Sequence, residues 1–282
     1  MKKFFALLMI AAFSTAVFAQ DEAPVLSEGQ QAKNAGNEAY NNRDYVTAIA
    51  EYEKYLASGE EGVADDLYTL NLYEMSFYYA GNTFLREKNY EKAYEYFTKF
   101  EKLGRSDTPT DCRFQYNYAN TANKLDKDAE ALALYQKCID IDCNKDACYF
   151  AIAQIHRKND NIEKMMSVVT YGLDSLGQAG NRYYSRFLLL YQIQELKDAT
   201  EVMKKAQDFA QKASGADINT YLTNMNQAVK YYEEVIPMYE KVMKYPGVDD
   251  KTNANYSKAK SGIEVCKSSI EAYESYKKTI KK

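Results

Sequence analysis

The feature that most constrains the fold of this chain is a repeated spacing of apolar residues. In "AIAEYEKY" a small residue, Ala48, is followed four and seven positions later by Tyr52 and Tyr55, and similar spacing returns in "AYEYFTKF" and "ALALYQKC". Residues at this spacing share one face of a helix. The copies begin at Ala48, Ala93, Ala131, Met165 and Ala199, and their offsets settle at 34 residues, which is the period of a two-helix repeat unit.

A second predicted helix precedes each of the first four copies and carries a small residue, which lets the two helices approach closely. In three units an Asp or Asn stands between the helices, a residue type that caps a helix by accepting its free N–H groups. Each pair buries only part of its apolar face, so neighbouring pairs must stack. The small residues are Gly36, Gly81, Ala119 and Ala153, and the predicted caps are Asp44, Asn89 and Asn161.

On these residues the chain resembles the tetratricopeptide repeat (TPR) family, over residues 30–175 and less closely to residue 210. The family pattern is clear in the second unit, at Gly81, Tyr90, Ala93 and Phe97, although the family's tryptophan is absent throughout and its closing proline is missing. The resemblance implies an all-α fold: a right-handed superhelical solenoid of antiparallel helix pairs, with about five to six units and a C-terminal capping helix. The low content of Pro and Gly also favours an all-helical chain.

Two segments depart from the regular repeat. The first offset is longer, with an insertion around "GEEGVADDLYT" that we expect to lengthen the first helix of the second unit. Near the other end, Val235, Tyr239 and Val242 keep the repeat spacing and predict a degenerate sixth unit. Pro237 within it must lie in a first helical turn or make a kink, because an interior proline removes a hydrogen bond.

The C-terminal tail predicts one more amphipathic helix. Its apolar stripe includes Ala259, Ile263, Cys266 and Ile270, with lysines opposite. Such a helix would either cap the last repeat or form a contact between copies of the chain. The predicted organisation is therefore a repeat array over residues 20–215, followed by the degenerate repeat and capping helices over 216–282.

The first nineteen residues predict a secretory signal peptide. Two lysines precede an apolar run that begins at Phe4 and ends in small residues, with cleavage expected before Gln20. An uncleaved anchor is the alternative, but the run is shorter than the ~20 apolar residues of a membrane span. A lipid anchor would need a cysteine at the new N-terminus, and the first cysteine is Cys112. We therefore expect a periplasmic or secreted protein.

Few residues offer catalytic or metal-binding chemistry. The single histidine, His156, lies on a predicted packed surface, so neither an enzyme nor a metal or cofactor site is predicted. The cysteines lack a C-x2-C pair, which argues against zinc. In an oxidising compartment Cys143–Cys148 or Cys138–Cys148 would bridge the turn between the third and fourth units, unless Cys138 is simply a small core residue. The net charge of −4, without basic runs, argues against nucleic acid.

In the TPR family the first helices of the units line a concave groove that binds peptides. The resemblance places polar and aromatic residues there, and none of them is acidic although the chain is acidic overall. The predicted groove residues are Lys33, Asn37, Tyr40 and Asn41 in the first unit, Tyr78, Asn82 and Arg86 in the second, Arg113, Tyr116, Asn120, Asn123 and Lys124 in the third, and Phe150, Gln154, Arg157 and Lys158 in the fourth.

These residue types favour a peptide or protein partner. The amides of Asn37, Asn82, Asn120 and Gln154 can donate to and accept from a peptide backbone, and the cations favour an acidic segment or a C-terminal carboxylate. "KNAGN" (33–37) resembles the start of the carboxylate clamp of some cytosolic family members, but Tyr79 and Asn117 replace two clamp residues. The sequence thus predicts an envelope scaffold or adaptor, with glycan binding as the alternative, since tyrosines and amides also suit sugars.

Overall fold

A computed structural model describes residues 26–104, 111–176 and 182–280, and the predicted signal peptide at 1–19 lies outside these ranges. Within the described ranges the chain forms α-helices and one 3-10 turn, without a β-strand, so the all-α prediction is confirmed. The helices are α1 (Glu28–Asn41), α2 (Tyr45–Ala57), α3 (Leu67–Arg86), α4 (Tyr90–Leu103), α5 (Cys112–Lys124), α6 (Asp128–Asp140), α7 (Lys145–Lys158), α8 (Ile162–Ser175), α9 (Tyr184–Ala213), α10 (Ile218–Met243) and α11 (Asp250–Thr279).

The helices follow one another as pairs. In the described part of the chain there are five, from α1–α2 to α9–α10, and α11 packs on α10 as a terminal helix. This arrangement confirms the predicted helical repeat fold. The chain divides into two compact units, Met1–Ala80 and Gly81–Lys282, with the division inside α3.

Small residues bring the helices of a pair together, as their spacing predicts. A Cβ atom added at Gly36 would lie 2.6 Å from the ring of Tyr52, and one at Gly81 would lie 2.6 Å from the ring of Phe97. Ala119 is fully buried at the matching place in α5. The aromatic ring of each second helix therefore occupies the space that a larger side chain on the first helix would need.

The turns within the first four pairs share a backbone conformation. The predicted caps Asp44, Asn89 and Asn161 each accept a hydrogen bond from the backbone N–H three residues later, which confirms their role. A non-glycine residue in the left-handed region stands just before each cap position, where glycine is usually preferred. These residues are Arg43 (φ 64°), Lys88 (φ 61°), Asp126 (φ 55°) and Asp160 (φ 54°).

The insertion before α3 lengthens that helix, as predicted. After a short 3-10 turn, Val63–Asp65, α3 runs for 20 residues. Asp66 begins the helix by accepting a hydrogen bond from the backbone N–H of Thr69 at 3.1 Å.

The fifth pair differs from the prediction in where its helices begin and end. Ala199, Met203 and Ala206 were expected on a separate second helix, but they lie in the second half of α9, a continuous helix of 30 residues. Val235 and its partners lie on α10, the second helix of the fifth pair, rather than in a sixth unit. The prediction failed because a 0, 4, 7 spacing is the same on one long helix as on the second helix of a pair.

Two further predictions concern Pro237 and the apolar stripe of the C-terminal helix. Pro237 lies in the interior of α10 and is exposed, so of the two predicted alternatives the first turn is excluded and the kink remains. On α11, Ala259 and Cys266 are buried against α10, as the stripe predicts. Residues 214–217 link α9 to α10, so the predicted boundary after residue 215 falls in that link, and the domain assignment stays a prediction.

The disulfide joins a pair of cysteines that the sequence did not suggest. Cys112 at the start of α5 is bonded to Cys143, with their Cα atoms 5.2 Å apart. Packing of α5 against α6 brings the beginning of α5 next to the turn after α6, a proximity that linear spacing does not reveal. Cys138 and Cys148 are free and fully buried, so Cys138 is the small core residue of the alternative prediction.

Candidate functional site

In the first compact unit the predicted groove cation Lys33 is held by the protein itself. Its Nζ atom donates to Asp66 at 2.7 Å, and the Tyr55 hydroxyl donates to the same carboxylate oxygen at 2.9 Å. Burial opposes ionisation of Asp66, but the hydrogen bonds from Lys33, Thr69 and Tyr55 outweigh it and hold the pKa of this carboxyl well below its usual range. The charge of Lys33 is therefore already balanced before any ligand arrives.

Asn37 and the tyrosines of this unit are also engaged. The hydroxyl of Tyr52 donates to Oδ1 of Asn37 at 2.9 Å. Tyr40 meets Tyr45 edge to face at 5.6 Å between ring centroids, and burial together with neighbouring tyrosines raises the pKa of Tyr40 to about 12. Tyr78 is only 8% exposed, so little of this predicted groove side chain is accessible to a ligand. Asn41 alone of the predicted residues of α1 is fully on the surface.

In the second compact unit the predicted peptide-binding amides also make hydrogen bonds within the protein. The hydroxyl of Tyr135 donates to Oδ1 of Asn120 at 2.7 Å, which repeats the Tyr52–Asn37 bond of the first unit. Phe97 stands where a tyrosine would serve Asn82, and there Asn117 donates to Oδ1 of Asn82 at 2.6 Å instead. Three of the four predicted amides thus use their side-chain oxygen to tie helices together, which limits what they can offer a peptide backbone.

A group of aromatic rings joins the first helices of the third, fourth and fifth pairs. Tyr116 of α5 is hydrogen-bonded to Tyr183, just before α9, and burial raises the pKa of Tyr116. The ring of Phe150 on α7 lies 5.5 Å from that of Tyr183. Arg186 of α9 stands over Phe150, 5.7 Å from the ring centroid, and 5.1 Å from that of Tyr183. These contacts bring α5, α7 and α9 side by side on one surface.

Predicted cations lie on the same helices as these rings, although one of them is ion-paired with acidic residues of the protein. Lys158 is ion-paired with Asp126 at 2.9 Å and with Asp128, so its charge is balanced as that of Lys33 is. Arg113, Lys124 and Arg157 are exposed. We call the surface made by Arg113, Tyr116, Asn120, Lys124, Phe150, Gln154 and Arg157 the α5–α7 face.

The two remaining predicted residues make contacts within the protein. Arg86 is exposed near the end of α3 and donates to the hydroxyl of Thr83 at 3.2 Å. Asn123 is partly buried and hydrogen-bonded to Tyr135, so it supports the same tyrosine that Asn120 does. Neither residue is assigned to the α5–α7 face.

Reactive chemistry is sparse where the chain is described. His156 is partly buried, and desolvation together with the nearby charge of Lys164 lowers its pKa. The described ranges contain no cluster of three or more His, Cys, Asp or Glu residues suited to a metal ion. They also contain no helix that is both long and apolar enough to cross a membrane.

Sequence reasoning missed the contribution of α9. Arg186 borders the α5–α7 face, and Leu189 and Ile193 are exposed further along the same helix. They were overlooked because groove residues were predicted only for the first four units. A signal was present, since no Gly or Pro interrupts residues 182–213.

No family model matches the chain, and no curated protein is found to be similar. Solved structures do match. A TPR repeat protein from Bacteroides fragilis is 17% identical, with 86% of this chain and 99% of that chain covered and a TM-score of 0.43. The TPR domain of P58(IPK) is 12% identical, with 84% and 79% covered and a TM-score of 0.41. PilW, a type IV pilus biogenesis factor, is 13% identical, with 89% and 96% covered and a TM-score of 0.32. Because these scores lie below 0.5, the fold stated above rests on the chain's own helix pairs.

Proposed function

We propose that this chain is a non-enzymatic interaction scaffold whose α5–α7 face binds an acidic segment of another protein. The observation that carries the proposal is the composition of that face. Its exposed cations Arg113 and Lys124 lie on α5 with Tyr116, and Arg157 lies on α7 with Phe150. None of its seven members is acidic, although the chain has a net charge of −4 and Asp146 lies one turn before Phe150 on α7.

The chemistry of the face suits a peptide with carboxylates and apolar groups. Arginine binds a carboxylate through two parallel hydrogen bonds, so Arg113 and Arg157 can orient a ligand as well as attract it. The two aromatic rings offer apolar area whose positions are fixed by contacts with Tyr183 and Tyr135. Such pre-ordered side chains lose little entropy on binding. The terminal carboxylate of a partner is one acidic group that would fit.

We place this scaffold in the bacterial envelope or outside the cell. The proposal is supported by the secretory pattern of residues 1–19. It is also supported by the Cys112–Cys143 disulfide, because such bonds persist mainly in oxidising compartments.

The test is a binding assay with defined probes. A fluorescent twelve-residue peptide rich in Asp, Glu and Tyr is titrated with the mature protein, with the Arg113→Glu/Arg157→Glu variant and with a Lys164→Glu/Lys258→Glu control. The control makes the same charge change at exposed positions on α8 and α11. A lysine-rich peptide of equal length and an envelope glycan serve as competing probes.

We expect the control to bind the acidic peptide as the unchanged protein does, and the Arg113→Glu/Arg157→Glu variant to bind at least tenfold more weakly. Added salt should weaken the binding, since the cations are exposed. Equal affinity of both variants would exclude the α5–α7 face as the site. Preference for the glycan over the acidic peptide would replace the proposal with the glycan-binding alternative.

A further inference from the structure

A second exposed surface runs along α9 and meets the α5–α7 face at Arg186, which stands over the ring of Phe150. Six residues at helical spacing share one side of this helix, because steps of three and four positions keep side chains on the same face. They are Arg186, Leu189, Ile193, Lys197, Thr200 and Lys204, all exposed, and we call them the α9 strip. The strip runs from Arg186 to Lys204, and its ends are about 27 Å apart along the helix.

The α9 strip has apolar side chains at its centre and positively charged side chains at both ends. Leu189 is 56% exposed and Ile193 is 50% exposed, while the opposite side of α9 buries Phe187 and Tyr191 in the core. Arg186 lies at one end of this apolar pair. Lys197 and Lys204 follow at the other end, so the strip is apolar at its centre and cationic on both sides.

Acidic neighbours offset part of this charge but leave an excess of positive charge. Glu195 lies on the other side of α9 and accepts a bond from Lys241 of α10 at 2.6 Å. Glu201 is exposed beside the strip, one turn after Lys197. Asp208 is partly buried one turn after Lys204, so the three positive charges of Arg186, Lys197 and Lys204 stand against two negative charges on this side of α9.

We propose that the α9 strip docks an acidic amphipathic helix of a partner protein. A helix laid along α9 can cover Leu189 and Ile193 with its own apolar residues, since side-chain ridges of two helices pack into each other's grooves. Glutamates or aspartates beside those residues would then reach Arg186, Lys197 and Lys204. The proposal rests on the scaffold role proposed above and adds a second surface to it.

The length and composition of the strip favour a protein helix over a lipid surface. Helices that lie in a membrane interface present a wide apolar face. The α9 strip offers only two apolar side chains, on a helix already packed into the core on its other side. Helix-in-groove recognition, by contrast, uses a few apolar anchors at spacings of three and four residues.

The experiment uses the mature protein and a synthetic twenty-residue helix with leucines at helical spacing and flanking glutamates. A scrambled peptide of the same composition shows whether the apolar periodicity matters. The test variant is Leu189→Asp/Ile193→Asp, whose positions are exposed, so its fold should be unaffected. The matched control is Val265→Asp/Tyr276→Asp on α11, where the side chains are 63% and 60% exposed. Fluorescence anisotropy gives the affinities, and circular dichroism confirms that each variant is folded.

We expect the Leu189→Asp/Ile193→Asp variant to bind the helix at least tenfold more weakly than the control, and the scrambled peptide to bind as weakly. Lys197→Glu/Lys204→Glu should reduce the salt dependence of binding. The Arg113→Glu/Arg157→Glu variant should keep its affinity for the synthetic helix. Failure of the proposed peptide binding at the α5–α7 face can then be distinguished from failure of helix binding at the α9 strip.

Three results would overturn the proposal. The first is equal affinity of the Leu189→Asp/Ile193→Asp variant and the control for the synthetic helix. The second is binding to anionic phosphatidylglycerol vesicles that this variant abolishes, in the absence of peptide binding, which would assign the strip to a lipid surface. The third is self-association in sedimentation velocity that the same variant abolishes, which would make a second copy of the chain the occupant.

Discussion

Replacement of Asp66 by alanine should be among the most costly single changes in the first compact unit. The Asp66 carboxylate accepts from Lys33 at 2.7 Å and from Tyr55 at 2.9 Å, and it also caps α3 through the N–H of Thr69. Hydrogen bonds to a charged group contribute about 1.5–3 kcal/mol each, and removing one member of a buried ion pair costs about 3–5 kcal/mol. The Asp66 side chain keeps 15% of its surface exposed and that of Lys33 keeps 26%, so solvent weakens these terms. We expect a loss of about 2–3 kcal/mol in the free energy of unfolding.

The same site predicts a pH dependence with a definite sign. The folded pKa of Asp66 is depressed, so its contribution is fully present above the unfolded pKa of about 4 and is lost as the pH falls through the folded pKa. Hydrogen bonding to Asp66 raises the pKa of Lys33, so that contribution is present below about pH 10 and is lost as the pH rises through the folded pKa. Asp66→Asn removes the charge while keeping the shape, and should flatten both limbs of the stability profile.

Urea unfolding followed by circular dichroism measures the stability, and hydrogen exchange read by mass spectrometry locates the loss in residues 26–80. The matched control is Asp65→Asn, an exposed acid next in sequence. We expect this control to change the unfolding midpoint little. If Asp66→Asn were as stable as the unchanged protein at pH 7 and lost stability equally below pH 4, the electrostatic reasoning would be refuted.

Three further predictions concern packing, capping and processing. Gly172→Val should lower the thermal midpoint, because the first added carbon would lie 2.8 Å from the ring of Phe187, and overpacking costs about 1–3 kcal/mol; an unchanged midpoint would contradict this. Asn89→Ala should cost about 1 kcal/mol in urea unfolding while Asn89→Asp should not, unless the cap is dispensable. N-terminal sequencing of the protein isolated from its host should begin at Gln20, and a sequence beginning at Met1 would reject signal cleavage.

The helix pairs could be predicted because their determinants are local. Gly36 and Tyr52 meet across one short turn, and Asn89 caps the helix that begins beside it. Spacing along the chain therefore contains nearly all the information that these contacts need. The long α9 was harder, because Ala199 and Met203 show the same periodicity whether or not a turn precedes them.

The candidate site was less predictable because its chemistry depends on residues distant in sequence. No residue close to Lys33 in sequence indicates that Asp66 will form an ion pair with it. Cys112 and Cys143 come close only when α5 packs against α6. One long-range rule was nevertheless readable. A tyrosine fifteen residues after an asparagine bonds to it in two pairs, at Asn37–Tyr52 and again in α5–α6, so the amides could have been assigned to structure from the repeat alignment alone.

The turns within the helix pairs are places where the stability of this protein could be increased by substitution. Arg43, Lys88 and Asp160 each hold a left-handed backbone conformation that costs a non-glycine residue about 1 kcal/mol. Glycine at each of these three places would return part of that energy. None of them belongs to the α5–α7 face or the α9 strip. Substitutions in these turns alone could therefore give a more stable scaffold for grafted binding surfaces, without changing any residue of the two proposed binding surfaces.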